Sequence, residues 1–237
     1  MDPDLGYKLD EESLLIARRY AVAEVAVLPA GAWAPPAEGE HDGHLGYLVL
    51  EGLLQRAAQL ANSDCAEVLG QGDVLRPWQE DISWAVAHYH VQWHVFEPTR
   101  VAILDRRFAA VACRWPEIIE VVMARCTSRA RSLAFSLAIS HLTRVDVRIL
   151  AMLWHLADRW GRVTPEGIVV PLALTHKDLA CLVGARRPSV TTALGELAHS
   201  HLVSRQTDGT WLLHGEPPKD LHHIQPSHER VATAAES

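Results

Sequence analysis

The stretch Leu174 to His214, LTHKDLACLVGARRPSVTTALGELAHSHLVSRQTDGTWLLH, determines the fold expected for the C-terminal part of this chain. Thr175 stands three residues before Asp178, and this spacing predicts a capping box that begins a short helix. Gly184 follows the apolar side of that helix and permits a tight turn. Pro188 suits the first turn of a second helix, because proline lacks only an amide that has no intrahelical partner there. The sequence therefore predicts two short helices joined by a glycine turn.

Two short extended runs follow the second helix. They cover Leu202 to Arg205 and Thr210 to Leu213, and the Asp208-Gly209 pair between them is a strong hairpin signal. Helix, glycine turn, helix and hairpin in this order predict a winged helix-turn-helix. A helix of this kind can enter the major groove of DNA, where the base edges present a readable pattern of donors and acceptors.

The N-terminal ends of both helices carry polar and basic side chains suited to DNA. An arginine fork matches the two acceptors of guanine, so the start of the second helix is expected to face bases. The residues expected there are Arg186, Arg187, Ser189 and Thr192. The residues expected near phosphate, at the start of the first helix, are Thr175, His176 and Lys177. The alternatives are a helix-turn-helix used only for packing and a winged helix that contacts protein.

The segment LTHKDLACLVGARRPSVTTALGEL resembles the DNA-reading motif of the Crp/Fnr superfamily of bacterial transcription regulators. Upstream, LGYLVLEGLLQR followed by EVLGQGDVL resembles the paired strands and Gly-Asp turn of that family's N-terminal β-roll. Arg100 to Ile119 resembles the stretch that enters its long dimer helix, so the resemblance covers roughly Leu45 to His214. It implies an α+β protein with a jelly-roll-like β-roll sensor domain, a long dimerisation helix and a C-terminal winged helix-turn-helix.

These signals divide the chain into four segments. We expect a β-roll sensor domain over 1–115, a dimerisation helix over 116–142 and a DNA-binding domain over 143–215. Thr143 and Asp146 repeat the capping-box spacing and are expected to begin the first helix of the DNA-binding domain. Residues 216–237 contain too few apolar residues to pack and are expected to be disordered.

The long helix is expected to begin at Pro116 and to carry a heptad seam. Apolar or small residues recur along it at alternating spacings of four and three residues, which is typical of a helix that packs against a second helix. The seam comprises Ile119, Met123, Cys126, Ala130, Leu133, Leu137 and Ser140. The alternative is a single helix packed on its own domain.

The net charge of −7 is distributed unevenly along the chain. Residues 1–115 carry nine basic and seventeen acidic groups, whereas residues 144–214 carry eight basic and six acidic groups. The acidity therefore belongs to the N-terminal half. The small positive excess in the C-terminal part predicts that DNA affinity depends on placed contacts and on a dimer that doubles them.

The cysteine pattern and the N-terminus bear on compartment and cofactor. The four cysteines form no CxxC pair, so neither a zinc knuckle nor a disulfide framework is indicated. The acidic start MDPDLGYKLDEE is unlike a secretory signal, and no apolar run is long enough to span a bilayer. We expect a cytoplasmic protein without a membrane partner.

Cyclic-nucleotide-binding members of the resembled family carry a glutamate and an Arg-Ser or Arg-Thr pair after the Gly-Asp turn. Here Arg76-Pro77 stands where Gly-Glu is expected, and no Arg-Ser pair precedes the strand AHYHVQWHVF. A cyclic phosphate would lack a charge-assisted partner, whose loss costs roughly 1.5 to 3 kcal/mol. We therefore do not expect cyclic AMP to be a ligand, and no cofactor is predicted.

That strand also contains a candidate metal site. His88, His90 and His94 share one face at a period of two, and imidazoles so placed can ligate zinc, copper or haem iron. We favour a strand with a solvated polar face, because no carboxylate or cysteine completes the ligand set nearby. The rival functions are a metal- or haem-binding sensor whose winged helix contacts protein, and an enzyme with a catalytic metal inside a jelly-roll-like barrel.

The sequence thus predicts a homodimeric transcription regulator rather than an enzyme. Its expected target is an inverted repeat in double-stranded DNA, because a two-fold dimer presents two identical reading helices. The resemblance implies RNA polymerase as a further partner. Neither an effector nor the sign of regulation follows from the sequence.

Overall fold

The computed structural model describes residues 3–36, 41–60, 63–79 and 90–217. The chain divides into two compact units, residues 1–138 and 139–237. Within the described ranges, the first unit contains two four-stranded antiparallel sheets and most of a long helix, and the second contains three further helices and a third four-stranded sheet. This arrangement confirms the predicted α+β fold class.

The eight strands described in the first unit form two sheets, as expected for a β-roll. The strands of the first sheet, in spatial order, are β1 (Glu24–Leu28), β8 (Thr99–Leu104), β3 (Gly46–Glu51) and β6 (Val74–Leu75). The strands of the second sheet are β2 (Gly31–Trp33), β7 (His90–Val95), β4 (Leu53–Leu60) and β5 (Ser63–Gly70). The described strand pairs of this unit are all antiparallel, and most of them join strands that are far apart in the chain, such as β1 with β8.

Strand β3 is buried on both faces, in keeping with its uninterrupted apolar run GYLVL. Tyr47 and Val49 belong to a core that includes side chains of both sheets, whereas Leu48 and Leu50 belong to a second core that includes helical residues. The turn after β3 requires Gly52, whose φ is +93° and whose Cβ position would lie 2.7 Å from the Cα of Thr99. One strand therefore supports both hydrophobic cores of the unit.

Three helices cover the outer face of the first sheet: α1 (Glu11–Tyr20), α2 (Arg106–Ala112) and α3 (Pro116–Ser140). Helix α1 begins because the carboxylate of Asp10 accepts a hydrogen bond of 2.8 Å from the amide of Ser13. Pro116 is the first residue of α3, as the sequence predicts. The helices contribute Ala17, Phe108, Ala112, Ile118 and Val122 to the second core.

The predicted seam of α3 divides into a covered and an uncovered part. Ile119 and Cys126 pack partly against the second core of their own unit. Met123 and Leu137 are each 61% exposed and Leu133 is 41% exposed, and Ala130 is exposed as well. The helix is confirmed, and the role of its uncovered apolar stripe as a dimer interface stays a prediction.

Two arginines of α3 tie the helix to the roll. Arg129 donates two hydrogen bonds, of 3.0 and 2.5 Å, to the buried carboxylate of Glu67. Burial alone would lower the pKa of Arg129, but the ion pair with Glu67 raises it, so the guanidinium stays charged. Arg125 donates a bond of 2.9 Å to the carbonyl of Gly72. These contacts hold α3 beside the turn at Gly72 and Asp73, which resembles the Gly-Asp turn of the β-roll.

The second unit has the predicted winged helix-turn-helix. Its helices α4 (Val145–Trp160), α5 (His176–Val183) and α6 (Arg187–His199) pack on one another. Its strands are β9 (Arg162–Thr164), β10 (Gly167–Val170), β11 (Val203–Arg205) and β12 (Trp211–Leu213), in the spatial order β11-β12-β10-β9. The hairpin β11–β12 turns at Asp208-Gly209, as the sequence predicts.

The capping box predicted from Thr143 and Asp146 is wrong. Helix α4 begins one residue later than that prediction requires, with Arg144 at the N-cap and no side-chain capping bond. Asp146 is the second helical residue instead of the third, and its carboxylate accepts bonds of 3.1 and 2.5 Å from the guanidinium of Arg144. The ion pair lowers the pKa of Asp146 and replaces the cap.

Two sequence expectations lie outside the described residues. The tail from 218 onward and His88 both fall there. Within the described ranges, no helix is both long enough and apolar enough to cross a membrane.

Candidate nucleic-acid interface

The first helix of the motif, α5, begins with the predicted capping box. The Thr175 hydroxyl accepts from the amide of Asp178 at 3.2 Å, and the Asp178 carboxylate accepts from the amide of Thr175 at 2.8 Å. Two free amides of the first turn are satisfied in this way. The box fixes where α5 begins and holds Thr175 and Lys177 at an exposed helix start.

The cap gives a direct test of local stability. We expect Thr175→Ala to lower the free energy of unfolding of the second unit by about 1 kcal/mol, because an amide of the first turn loses its acceptor. Thr175→Ser keeps the hydroxyl and should remain close to the parent protein. Urea unfolding followed by circular dichroism compares the two variants. Equal losses for alanine and serine would mean that the hydroxyl contributes nothing.

The turn between α5 and α6 depends on Gly184 and on a distant arginine. Gly184 has φ +60° and ψ 44°, a left-handed conformation that ends α5. Arg148, in α4, donates bonds of 3.4 and 3.3 Å to the carbonyls of Val183 and Gly184, and it also donates to the carbonyl of Leu142. Arg148 therefore holds the turn to the first helix of the unit.

The second helix of the motif presents all four predicted base-facing residues to solvent. Arg186 lies at the N-cap of α6 and Arg187 is its first residue, and neither is buried. Ser189 is exposed as well. Thr192 is exposed too, and its hydroxyl donates to the carbonyl of Pro188 at 3.3 Å. The opposite side of α6 is buried through Val190, Ala193, Leu194 and Leu197.

His176 connects the two helices of the motif. Its Nδ1 lies 3.0 Å from the hydroxyl of Thr191, and its ring lies 6.3 Å from the ring of Trp211. Burial lowers the pKa of His176, and repulsion from Arg205 and Arg187 lowers it further. The imidazole therefore links α5 with α6, and the phosphate contact expected of His176 stays a prediction.

The wing adds a basic residue that the sequence reasoning did not select. Arg205 is exposed at the end of β11, and its guanidinium lies 5.6 Å from the ring centre of Trp211. The Trp211 indole donates to the carbonyl of Leu174 at 3.2 Å, which anchors the wing beside the start of α5. Because Arg205 and Arg187 both act on His176, the wing and α6 contribute to one positive region.

This positive region has the properties of an anion-binding surface. The N-terminus of α6 carries a partial positive charge, and Arg186 makes no capping bond through its side chain. Lys177, Arg187 and Arg205 are exposed around it. A groove-sized helix with arginines at its N-terminal end can combine phosphate attraction with base reading.

The histidine strand does not gain a metal site from the described residues. His90 and His94 lie in β7 with exposed side chains, and β7 does alternate between exposed and covered positions as expected. In the part of the chain that the structure describes, no three or more His, Cys, Asp or Glu side chains are grouped closely enough to hold a metal ion. Among the described residues, the winged helix is therefore the candidate functional site.

The comparisons with known proteins agree with this geometry. Residues 147–215 match the Crp-like helix-turn-helix domain. The chain is 32% identical over 91 residues to the global nitrogen regulator of Synechococcus elongatus, covering 38% of this chain and 40% of that protein. It is 36% identical over 84 residues to the CRP-like cAMP-activated global transcriptional regulator of Mycobacterium tuberculosis, covering 35% and 38%. The chain thus spans about two fifths of these relatives.

The fold also resembles solved structures over most of its length. A CooA variant from Carboxydothermus hydrogenoformans superposes with a TM-score of 0.63 at 18% identity, covering 81% of this chain and 83% of that one. These features define a class of proteins in which a β-roll and a long helix precede a C-terminal winged helix-turn-helix. The C-terminal part of this chain thus resembles the Crp-like helix-turn-helix domain, and the chain as a whole resembles the CooA variant in fold.

Proposed function

We propose that this protein is a homodimeric, sequence-specific DNA-binding transcription regulator. The observation that carries the proposal is the exposed start of α6, where Arg186 and Arg187 stand beside Ser189 and Thr192 on a helix whose other side is buried. The capping box, the Gly184 turn and the Arg148 bonds hold this end in place. The names of the relatives, which are those of regulators, support the same function.

The proposed dimer is supported by the uncovered stripe of α3. Met123, Leu133 and Leu137 are large apolar side chains exposed on one long helix, and water contact with them is unfavourable. A second copy of α3 would cover them through the heptad spacing. The dimer would present two α6 helices to an inverted repeat, and we propose RNA polymerase as the further partner of the DNA-bound protein.

The direct test is selection of bound sequences from a random pool of double-stranded DNA, using the full chain. The expected result is an enriched inverted repeat. Recovery of unenriched sequence at low salt would contradict sequence-specific binding. A protein-contact role for the winged helix would then take precedence.

We further propose that cyclic nucleotides are not effectors of this protein. The cAMP activation stated in the name of the mycobacterial relative belongs to that protein, whereas this sequence lacks the phosphate-binding pair. Beside the Gly-Asp turn, the carbonyls of Gly72 and Val74 accept bonds from Arg125 and Arg129 of α3. The turn is thus engaged by the protein's own side chains.

This proposal gives a second prediction. Cyclic AMP and cyclic GMP should show no heat of binding at micromolar concentration and should leave DNA affinity unchanged, because the charged partner of the phosphate is missing. Titration calorimetry and a DNA-binding assay with and without each nucleotide provide the measurement. A micromolar site for either nucleotide would sink the prediction.

A further inference from the structure

A cavity of about 310 Å³ lies on the outer face of the first sheet, beneath α1. Its walls include Leu48 and Leu50 of β3, Leu104 of β8, Phe108 of α2 and Ile118 of α3. These side chains belong to the second core, on the face of β3 opposite the core that Tyr47 and Val49 share with the second sheet. The cavity is thus separate from the interior of the roll.

Among the described residues that line this cavity, one side chain is charged and most of the others are apolar. Arg18, in the last turn of α1, is that residue, and its side chain is exposed. Val22 and Val25 also line the cavity and are exposed, so together with Arg18 they mark its open side. The acidic residues of α1, Glu11 and Glu12, lie in its first turn, at the far end of the helix from Arg18.

We propose that this cavity binds a small amphiphilic carboxylate, with the aliphatic chain inside and the carboxylate on Arg18. Ligand pockets are mostly apolar with a few placed polar groups, and they measure about 300 to 1,000 Å³. At about 310 Å³ the cavity lies at the lower end of that range, which suits a single short acyl chain. A guanidinium fork matches a carboxylate in a bidentate way.

Apolar burial and charge act on different parts of such a ligand. The methylene groups gain from leaving water, by an amount that grows with each buried group. The carboxylate remains at the open side, where it keeps part of its hydration and pairs with Arg18. Because Ile118 belongs to the first turn of α3, an occupant would also contact the helix assigned to the dimer. Any effect of the ligand on the dimer rests on the proposed function, whereas ligand binding itself does not.

The experiment uses calorimetric titration of the full chain with sodium decanoate and with decanol, below their aggregation concentrations. The expected result is one saturable decanoate site per chain. Arg18→Gln should weaken decanoate binding by about two- to fivefold, the factor expected when a solvent-exposed ion pair is lost, and should leave decanol binding unchanged. Arg19→Gln is the matched control, because Arg19 is adjacent, carries the same charge and does not line the cavity. It should bind decanoate like the parent protein.

A second variant tests whether the aliphatic chain of the ligand lies in the cavity. Ala23 lines the cavity and is partly buried. The larger side chain of Ala23→Leu should occupy part of the cavity and weaken the binding of both decanoate and decanol. Circular dichroism checks that this variant folds, and the Arg18 and Arg19 pair tests the proposal independently of it. Absence of saturable decanoate binding, equal losses for the two glutamine variants, or an unaffected, folded Ala23→Leu would each overturn the proposal. DNA binding measured on the same samples separates this outcome from failure of the proposed function.

Discussion

Leu133→Glu is expected to convert the proposed dimer into monomers and to abolish specific DNA binding. Leu133 lies in the uncovered stripe of α3, and 41% of it is exposed in the single chain. A second α3 packed on that stripe would bury the new carboxylate beside its symmetry mate. An unpaired buried charge costs roughly 3 to 5 kcal/mol. Each 1.4 kcal/mol is tenfold, so each buried charge should weaken the dimer by about 100-fold to several thousandfold.

The matched control is Phe135→Glu. Phe135 is 40% exposed on the same helix, but it lies two residues further on, roughly 200° around the helix axis from Leu133. It should therefore stay dimeric and keep its affinity for the selected DNA. Sedimentation velocity measures the assembly state of both variants. If Leu133→Glu remains a dimer, or if Phe135→Glu dissociates as completely, the seam has been assigned to the wrong surface.

Local signals account for the parts of the fold that the sequence predicts well. The Thr175 and Asp178 spacing, the Gly184 turn and the Asp208-Gly209 hairpin each depend on residues within a few positions of one another, and each is found in the structure. The same spacing fails at Thr143 and Asp146. There the neighbouring Arg144 takes the carboxylate and shifts the helix start, which a spacing rule alone does not register.

Contacts between distant residues account for what the sequence reasoning missed. Arg148 reaches carbonyls 35 and 36 positions along the chain, and Arg129 pairs with a carboxylate 62 positions away. No periodicity encodes such pairs, because they depend on how the elements pack. Arg205 was within reach of the sequence argument, since it ends the first extended run of the wing. Its relation to His176 and Arg187 appears only in the folded unit.

The candidate site likewise contains residues that local signals predict and residues whose contacts depend on how distant elements pack. Its exposed residues, Arg186, Arg187, Ser189 and Thr192, follow from the helix start that Pro188 marks. His176 illustrates the limit, because its neighbourhood is fixed by Thr191 and Trp211, from two other elements. A residue at a helix start can face DNA or brace the motif, and the sequence does not distinguish these roles.

Replacing Arg187 or Arg186 by alanine should cost about 1 to 3 kcal/mol per lost base contact and relax preference at one base position in each half-site. The proposed dimer makes each contact twice, so the loss should total about 2 to 6 kcal/mol, which lowers affinity for the selected site by roughly 30-fold to 20,000-fold. The selected site should be an inverted repeat with half-site centres roughly 10 to 11 base pairs apart, since a two-fold dimer places its reading helices about one helical turn apart.

Lys177→Ala is the control that separates base reading from charge. Lys177 is exposed at the start of α5, and its expected partner is a phosphate. The loss of Lys177 should weaken binding to the selected DNA and to scrambled DNA alike. It should also lower the slope of log affinity against log salt concentration by about one unit per lost contact in each half-site. Binding of the three variants to both DNAs across a salt series gives the measurement. If Arg186→Ala and Arg187→Ala both leave base preference unchanged, α6 does not read DNA, because the one exposed arginine pair at its N-terminal end would then contribute charge without selectivity.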